Sequence, residues 1–171
     1  MKKHLLFVAF IVIGSGIYGQ PSIKVFGFEQ ENTPGIVTAN LKDENGNPIK
    51  KAATQKNYLV YLSFNQEHNI IPQQIFIGGK TFSVATSTIE STPVQYINNN
   101  IPGKSQQTVL IPKTSNKVIE LKIVGPIDVE KTSTLQKLTN KNDVVISYFW
   151  KKKKYFTVLK KLKKLEPVLK E

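Results

Sequence analysis

Asp143 to Leu165, DVVISYFWKKKKYFTVLKKLKKL, is the stretch on which the fold turns: five aromatic residues, Tyr148, Phe149, Trp150, Tyr155 and Phe156, flank four consecutive lysines. Val144 to Trp150 and Tyr155 to Val158 are rich in β-branched and aromatic side chains, so each reads as a strand and the lysines as the turn between them. Closing that turn through Lys152 and Lys153 sets Lys151 opposite Lys154, Trp150 opposite Tyr155, Phe149 opposite Phe156 and Ile146 opposite Leu159. Side chains alternate along a strand, so Val144, Ile146, Tyr148, Trp150, Tyr155 and Leu159 share one face, and Val145, Phe149, Phe156 and Val158 the other. Both faces are mostly apolar. The hairpin is therefore expected at a central place in the sheet, between two layers, with the lysine turn projecting from one end.

Working outward, Ile75 to Val84 (IFIGGKTFSV) is the clearest second hairpin, because Gly78-Gly79 supplies the positive φ angles of a two-residue turn. Its register sets Ile75 opposite Phe82 and Gln73 opposite Val84, with Ile75, Ile77, Phe82 and Val84 on one face. Ser22 to Phe28, Gly35 to Lys42 and Asn57 to Phe64 read as strands, with the turn formers of Asp43 to Pro48 (DENGNP) before a restart at Ile49. Thr92 to Ile97, Thr108 to Ile111 and Lys117 to Val124 give three more strands. The polar stretch Ile127 to Asn142 is compatible with a short helix over Leu135 to Leu138 or with a loop. Val158, Leu162, Leu165 and Leu169 fall at helical spacing, which allows a short basic helix after Leu159 until Pro167 interferes. Short strands with regular turn signals predict an all-β fold, an antiparallel immunoglobulin-like β-sandwich or a partly open barrel, with at most a short helix near the C-terminus.

Met1 to Gly19 (MKKHLLFVAFIVIGSGIYG) has the charged start, apolar run and small-residue end of a secretory signal peptide, with the cut expected after Gly19. Its apolar run is far shorter than the ~20 residues of a membrane span. The chain of 171 residues contains no cysteine, so the expectation is a periplasmic or secreted product without a lipidated cysteine, disulfides or thiol chemistry. Residues 20–171 form a single β-rich domain in this reading, ending in a lysine-rich hairpin and tail. The formal charge is +12 and every basic residue is lysine; residues 151–171 hold nine lysines and two acids, so the basicity is local.

Gly35-Ile36-Val37 followed by Asp43-Glu44-Asn45-Gly46-Asn47-Pro48-Ile49 resembles the opening hairpin of carboxypeptidase-regulatory-like and bacterial immunoglobulin-like sandwich domains. The resemblance covers about fifteen residues of the chain and implies a sandwich of an accessory or adhesive kind, with chemistry elsewhere.

Catalysis needs groups that titrate or attack, and residues 20–171 offer one histidine, His68, in the polar loop Asn65 to Asn69. Without a visible nucleophile or orienting partner it reads as an exposed loop residue. Too few nitrogen and sulfur ligands exist for zinc. Gly79-Lys80-Thr81 imitates the end of a phosphate-binding loop, but Gln74 stands where the first glycine belongs and the flanks are strands. Asp43, Asn45 and Asn47 lack the glycine spacing and the twelfth-position glutamate of a calcium loop, since Thr54 stands there. No catalytic residue, metal or cofactor is assigned.

The basic C-terminal region is the candidate contact surface. Lys151, Lys152, Lys153, Lys154, Lys160, Lys161, Lys163 and Lys164 are expected to form a positive patch beside Trp150 and Tyr155, suited to an anionic envelope surface or an acidic protein. Lysines at sheet ends also serve simply to keep sheets from pairing with one another. Without arginine the patch lacks two-pronged contacts, which argues against sequence-specific nucleic-acid binding. The sequence thus reads as an exported, non-catalytic interaction or envelope-associated module, alone or as a subunit of a larger assembly. The alternative is a small secreted hydrolase or carbohydrate-acting enzyme, which would need two of Glu67, Glu90 and Glu120 to converge in a cleft.

Overall fold

The structure, a computed structural model, describes residues 20–34, Asn45, 55–98 and 106–170. The leader, the strand expected over 35–42, the restart at Ile49 and the immunoglobulin-like opening, Asn45 excepted, lie outside the described residues.

Among the described residues, eleven strands and one helix follow in chain order: β1 (Ile23–Pro34), β2 (Gln55–Phe64), β3 (Ile71–Ile77), β4 (Lys80–Ile89), β5 (Val94–Asn98), β6 (Gln106–Ile111), β7 (Lys117–Pro126), α1 (Ser133–Thr139), β8 (Val144–Trp150), β9 (Lys153–Leu159), β10 (Lys163–Lys164) and β11 (Val168–Lys170). Nine strands make one sheet in the order β10-β1-β2-β7-β4-β3-β8-β9, with β11 also on β1, while β5 and β6 pair separately. Every pairing is antiparallel except those of β10 and β11 with β1. The sheet curls into a half-barrel, and the small β5–β6 sheet stands beside it.

The core follows the period-two alternation of the strands. Val60, Leu62 and Phe64 of β2, Ile75 and Ile77 of β3, Ile119 and Leu121 of β7, and Val144, Ile146, Tyr148 and Trp150 of β8 line the concave side. The intervening residues face outward, where two smaller layers cover part of them. The β5–β6 sheet places Leu110 and Ile111 against Phe28, Tyr61 and Val118. Helix α1 lays Leu135 and Leu138 on Phe76, Val145 and Phe156. That helix forms where the sequence allowed one: the Thr132 hydroxyl caps its start by accepting from the Leu135 N–H at 3.3 Å, and Asn142 Nδ2 closes its end on the Leu138 carbonyl at 2.8 Å. With apolar cover on both sides, five consecutive residues of β8 are fully buried.

Both hairpins form, and one differs in register. Gly78 and Gly79 adopt φ of +57° and +77°, and Ile75 pairs with Phe82 as expected. The expected partnership of Gln73 with Val84 is not made, because the β3–β4 ladder stops at Gln74 and Ser83 and the pairing with β8 slips between Pro72 and Gln74. In the β8–β9 hairpin the turn residues are Lys151 and Lys152, so Trp150 pairs with Lys153, Phe149 with Lys154, Tyr148 with Tyr155 and Val144 with Leu159. The expected register put Lys151 opposite Lys154, a like-charge pair that repels. The observed one gives each strand lysine an aromatic partner and stacks Tyr148 on Tyr155, ring centroids 5.8 Å apart. A shift of two leaves every side chain on its face, so the expected face assignment stands.

The hairpin is only half internal. β8 lies between β3 and β9, whereas β9 ends the pairing order and comes back alongside β1. No helix follows Leu159. The Asp143 N–H donates to the Lys160 carbonyl at 3.2 Å, Asp143 Oδ2 accepts from the Leu162 N–H at 2.9 Å, and the Leu165 N–H donates to the Glu29 carbonyl at 2.9 Å. Those bonds lead the chain across the seam onto β1. Leu162 consequently packs into the concave core and Leu165 into the outer layer, so the helical spacing of these leucines marks two different clusters.

Burial pushes the Tyr148 phenol above its ordinary value, an effect that the Gln20 amide donating to its oxygen at 2.9 Å partly offsets and nearby Tyr155 adds to. Burial raises Tyr61 as well, with the Glu120 carboxylate adding to it. Above pH ~10 the unfolded tyrosines release protons that the folded ones still hold, so stability is full below that pH and falls as pH rises through the folded values. Each tyrosine contributes a slope of about 1.4 kcal/mol per pH unit in that window. Tyr148→Phe is expected to flatten the alkaline limb of a urea-unfolding pH series by about one such slope. An unchanged limb would show that Tyr148 is not a buried, proton-retaining group.

Candidate anionic contact surface at the lysine turn

Lys151 and Lys152 form the hairpin tip with φ of +47° and +65°. A two-residue turn of this hand twists with the strands it joins, which is why it forms, but it calls for Asn-Gly or Gly-Gly. A side chain with a Cβ is strained there by roughly 1–2 kcal/mol per residue. Lysines 151–154 are all exposed. The Lys151 ammonium lies 4.7 Å from the Trp150 ring centroid and that of Lys154 5.9 Å from the Phe156 ring, so both charges rest partly on aromatic faces.

The eight lysines do not make one patch. Lys160, Lys161, Lys163 and Lys164, also exposed, lie past the far end of β9. The intervening strand sets the two groups about 20 Å apart at ~3.3 Å per residue. Trp150, only 7% exposed, and half-buried Tyr155 belong to the concave core and not to the surface. Trp150 is packed between His68, edge-on at 5.7 Å, and Tyr155 at 5.9 Å. His68 is thus half-buried against an indole, not an exposed loop residue, and that packing is its visible role.

In place of those two aromatics the outer face presents Phe149 and Ile71, direct cross-strand partners that are 37% and 49% exposed. With Lys154, the partner of Phe149 on the other side, they form a row across three strands. Phe149 and Ile71 line a shallow groove of about 640 Å³ together with Trp150, Lys151, Lys152 and Glu67. The alternation already put Phe149 on the face opposite Trp150. What the sequence hid is that α1 covers that face over Val145 and stops short of Phe149.

Charge also gathers in a groove of about 390 Å³ beside the Gly78-Gly79 turn. There the groups are largely engaged within the protein: Lys56 pairs with Glu29 at 3.2 Å, Asp143 holds the Leu162 N–H, and Lys131 Nζ donates to the Gly79 carbonyl at 3.4 Å. Gly79, Lys80 and Thr81 sit on a strand-to-strand turn, without the helix that a phosphate loop requires. The three carboxylates considered for hydrolysis stand apart. Glu67 borders the lysine-turn groove, Glu90 lines a separate polar cleft with Thr92 and Thr114, and Glu120 faces outward on β7, between Tyr61 and Ser87. Among the described residues there is no group of three or more histidine, aspartate or glutamate side chains placed to hold a metal, and no helix long and apolar enough to cross a membrane. No protein family, curated protein or solved structure matches the chain.

Proposed function

We propose that this chain is an exported, non-catalytic β-module that meets an anionic partner at the cell envelope through lysines 151–154. The observation that carries the reading is the pair of lysines held at positive φ on an exposed tip. Asn-Gly at the same two positions would relieve the strain, and a turn kept only for folding has no use for lysine there. The leader read from Met1 to Gly19 supplies the route out of the cytoplasm.

Replacing both tip residues, Lys151→Asn with Lys152→Gly, tests this by separating charge from folding. The variant is expected to be more stable than the parent by about 1–2 kcal/mol, because Lys152→Gly removes the strain at one position and asparagine tolerates the left-handed conformation better than lysine at the other. Its retention on an anionic surface at moderate salt is expected to fall about thirtyfold, from ~1 kcal/mol for each of the two lysines lost near such a surface. Neutralising the distant cluster, Lys160, Lys161, Lys163 and Lys164 to Gln, is expected to cost less. A stabilised tip variant with undiminished, salt-insensitive retention would overturn the reading and leave the lysines as solubilising decoration.

A further inference from the structure

We infer that the anionic partner is a bilayer surface, on which Phe149 and Ile71 enter the headgroup layer while lysines 151–154 bind lipid phosphates. The inference rests on the contact reading above and adds an apolar component to it. A soluble polyanion asks only for accessible positive charge. The row Ile71–Phe149–Lys154 offers something different: two adjacent apolar side chains, each more than a third exposed, ending in a cation and bordered at the tip by two more. Apolar side chains at the centre with basic ones at the rim is the arrangement of proteins that lie in a membrane interface, where long lysine stems let the ammonium reach phosphate while the ring or branch sinks below it. Lysine is sufficient for this task, since a headgroup needs a mobile point charge and not a planar fork.

The remaining geometry agrees. Phe149 stands two residues before the tip, with Trp150 between them, and Ile71 starts β3 beside it, so both lie near the hairpin's turn end, beyond the region that α1 covers. The acidic residue that lines the same groove, Glu67, is outnumbered there by Lys151 and Lys152. Anionic lipid concentrates such charge at its surface and supplies the apolar layer under it.

Co-sedimentation of residues 20–171 with phosphatidylglycerol–phosphatidylcholine vesicles, against pure phosphatidylcholine vesicles, tests the inference. Trp150 is the single tryptophan and lies beside the groove, so its quenching by brominated lipid reports how closely the tip approaches the acyl chains. The parent is expected to bind the anionic vesicles and to be quenched. Phe149→Ser with Ile71→Thr, both on exposed positions, is expected to lower partitioning at least tenfold and remove the quenching, with an unchanged circular-dichroism spectrum. Lys151→Asn with Lys152→Gly is expected to lower partitioning about thirtyfold. If the apolar double variant binds as the parent does while the lysine variant does not, insertion is overturned and the charge contact stands. Binding to an acidic protein or polyanion resin but to neither vesicle also overturns insertion alone. Binding to no anionic material overturns both readings.

Discussion

Ile146→Ala is expected to lower the unfolding free energy by about 2–5 kcal/mol, whereas Val124→Ala is expected to change it by less than about 0.5 kcal/mol. Ile146 is completely inaccessible, pairs with Ile75 on one side and Thr157 on the other, and sits on the middle strand of the most covered part of the sheet. Truncating it removes three carbons and leaves a void that neighbours on paired strands are poorly able to fill, since the ladders hold their backbones at fixed spacing. Val124 also sits within a strand but is 68% exposed, on an outward position that neither α1 nor the small sheet reaches. For a domain of this size the first change is worth roughly 2–4 °C of Tm per kcal/mol, so a thermal melt resolves it easily. A small effect at Ile146 would mean that the concave side is loosely filled, and with it the layered account of the fold would fail.

That contrast shows how much of the architecture the residues disclose by themselves. Alternation tells which face a side chain takes, and it placed Ile146, Tyr148 and Trp150 together against Val145 and Phe149 even though the turn sits one residue earlier than expected. It cannot tell whether a face is covered. Val145 and Val124 are both outward valines in apolar strands, yet one lies under α1 and the other in water. The Gly78-Gly79 turn was legible because glycine marks positive φ. Four identical lysines carry no such mark, and the repulsion that rejects a Lys151–Lys154 pair acts only once both strands are in place. The leucines after Leu159 misled for a related reason: the bonds that carry the chain over to β1 come from Asp143 and Glu29, both remote from it in sequence. The contact surface was legible in its charge and not in its apolar part, since Phe149 gains meaning only from where α1 ends.

The seam between β1 and β9 explains why glycine occupies the middle of a strand, where it ordinarily weakens pairing. A Cβ built on Gly27 would stand 2.5 Å from Leu159 Cδ2 and 2.9 Å from Leu162 Cδ2. Neither leucine's backbone is free to retreat far, so only the side chains can give: Leu159 is paired with Val144 in the β8–β9 ladder, and the Leu162 N–H is tied to Asp143. Gly27→Val is therefore expected to cost about 1–3 kcal/mol, despite valine's better strand propensity, because the added carbons force the curled edges apart. Gly27→Ala is expected to cost less, since the leucine methyls can give by a rotamer change. The cause can be isolated by combining Gly27→Ala with Leu159→Ala. If the two side chains compete for the same space, the double variant is more stable than the sum of the single losses predicts, by about 0.5 kcal/mol or more in a double-mutant cycle. Strict additivity, or a Gly27→Val protein as stable as the parent, would mean that β1 and β9 do not close on each other and that the half-barrel is open along this edge.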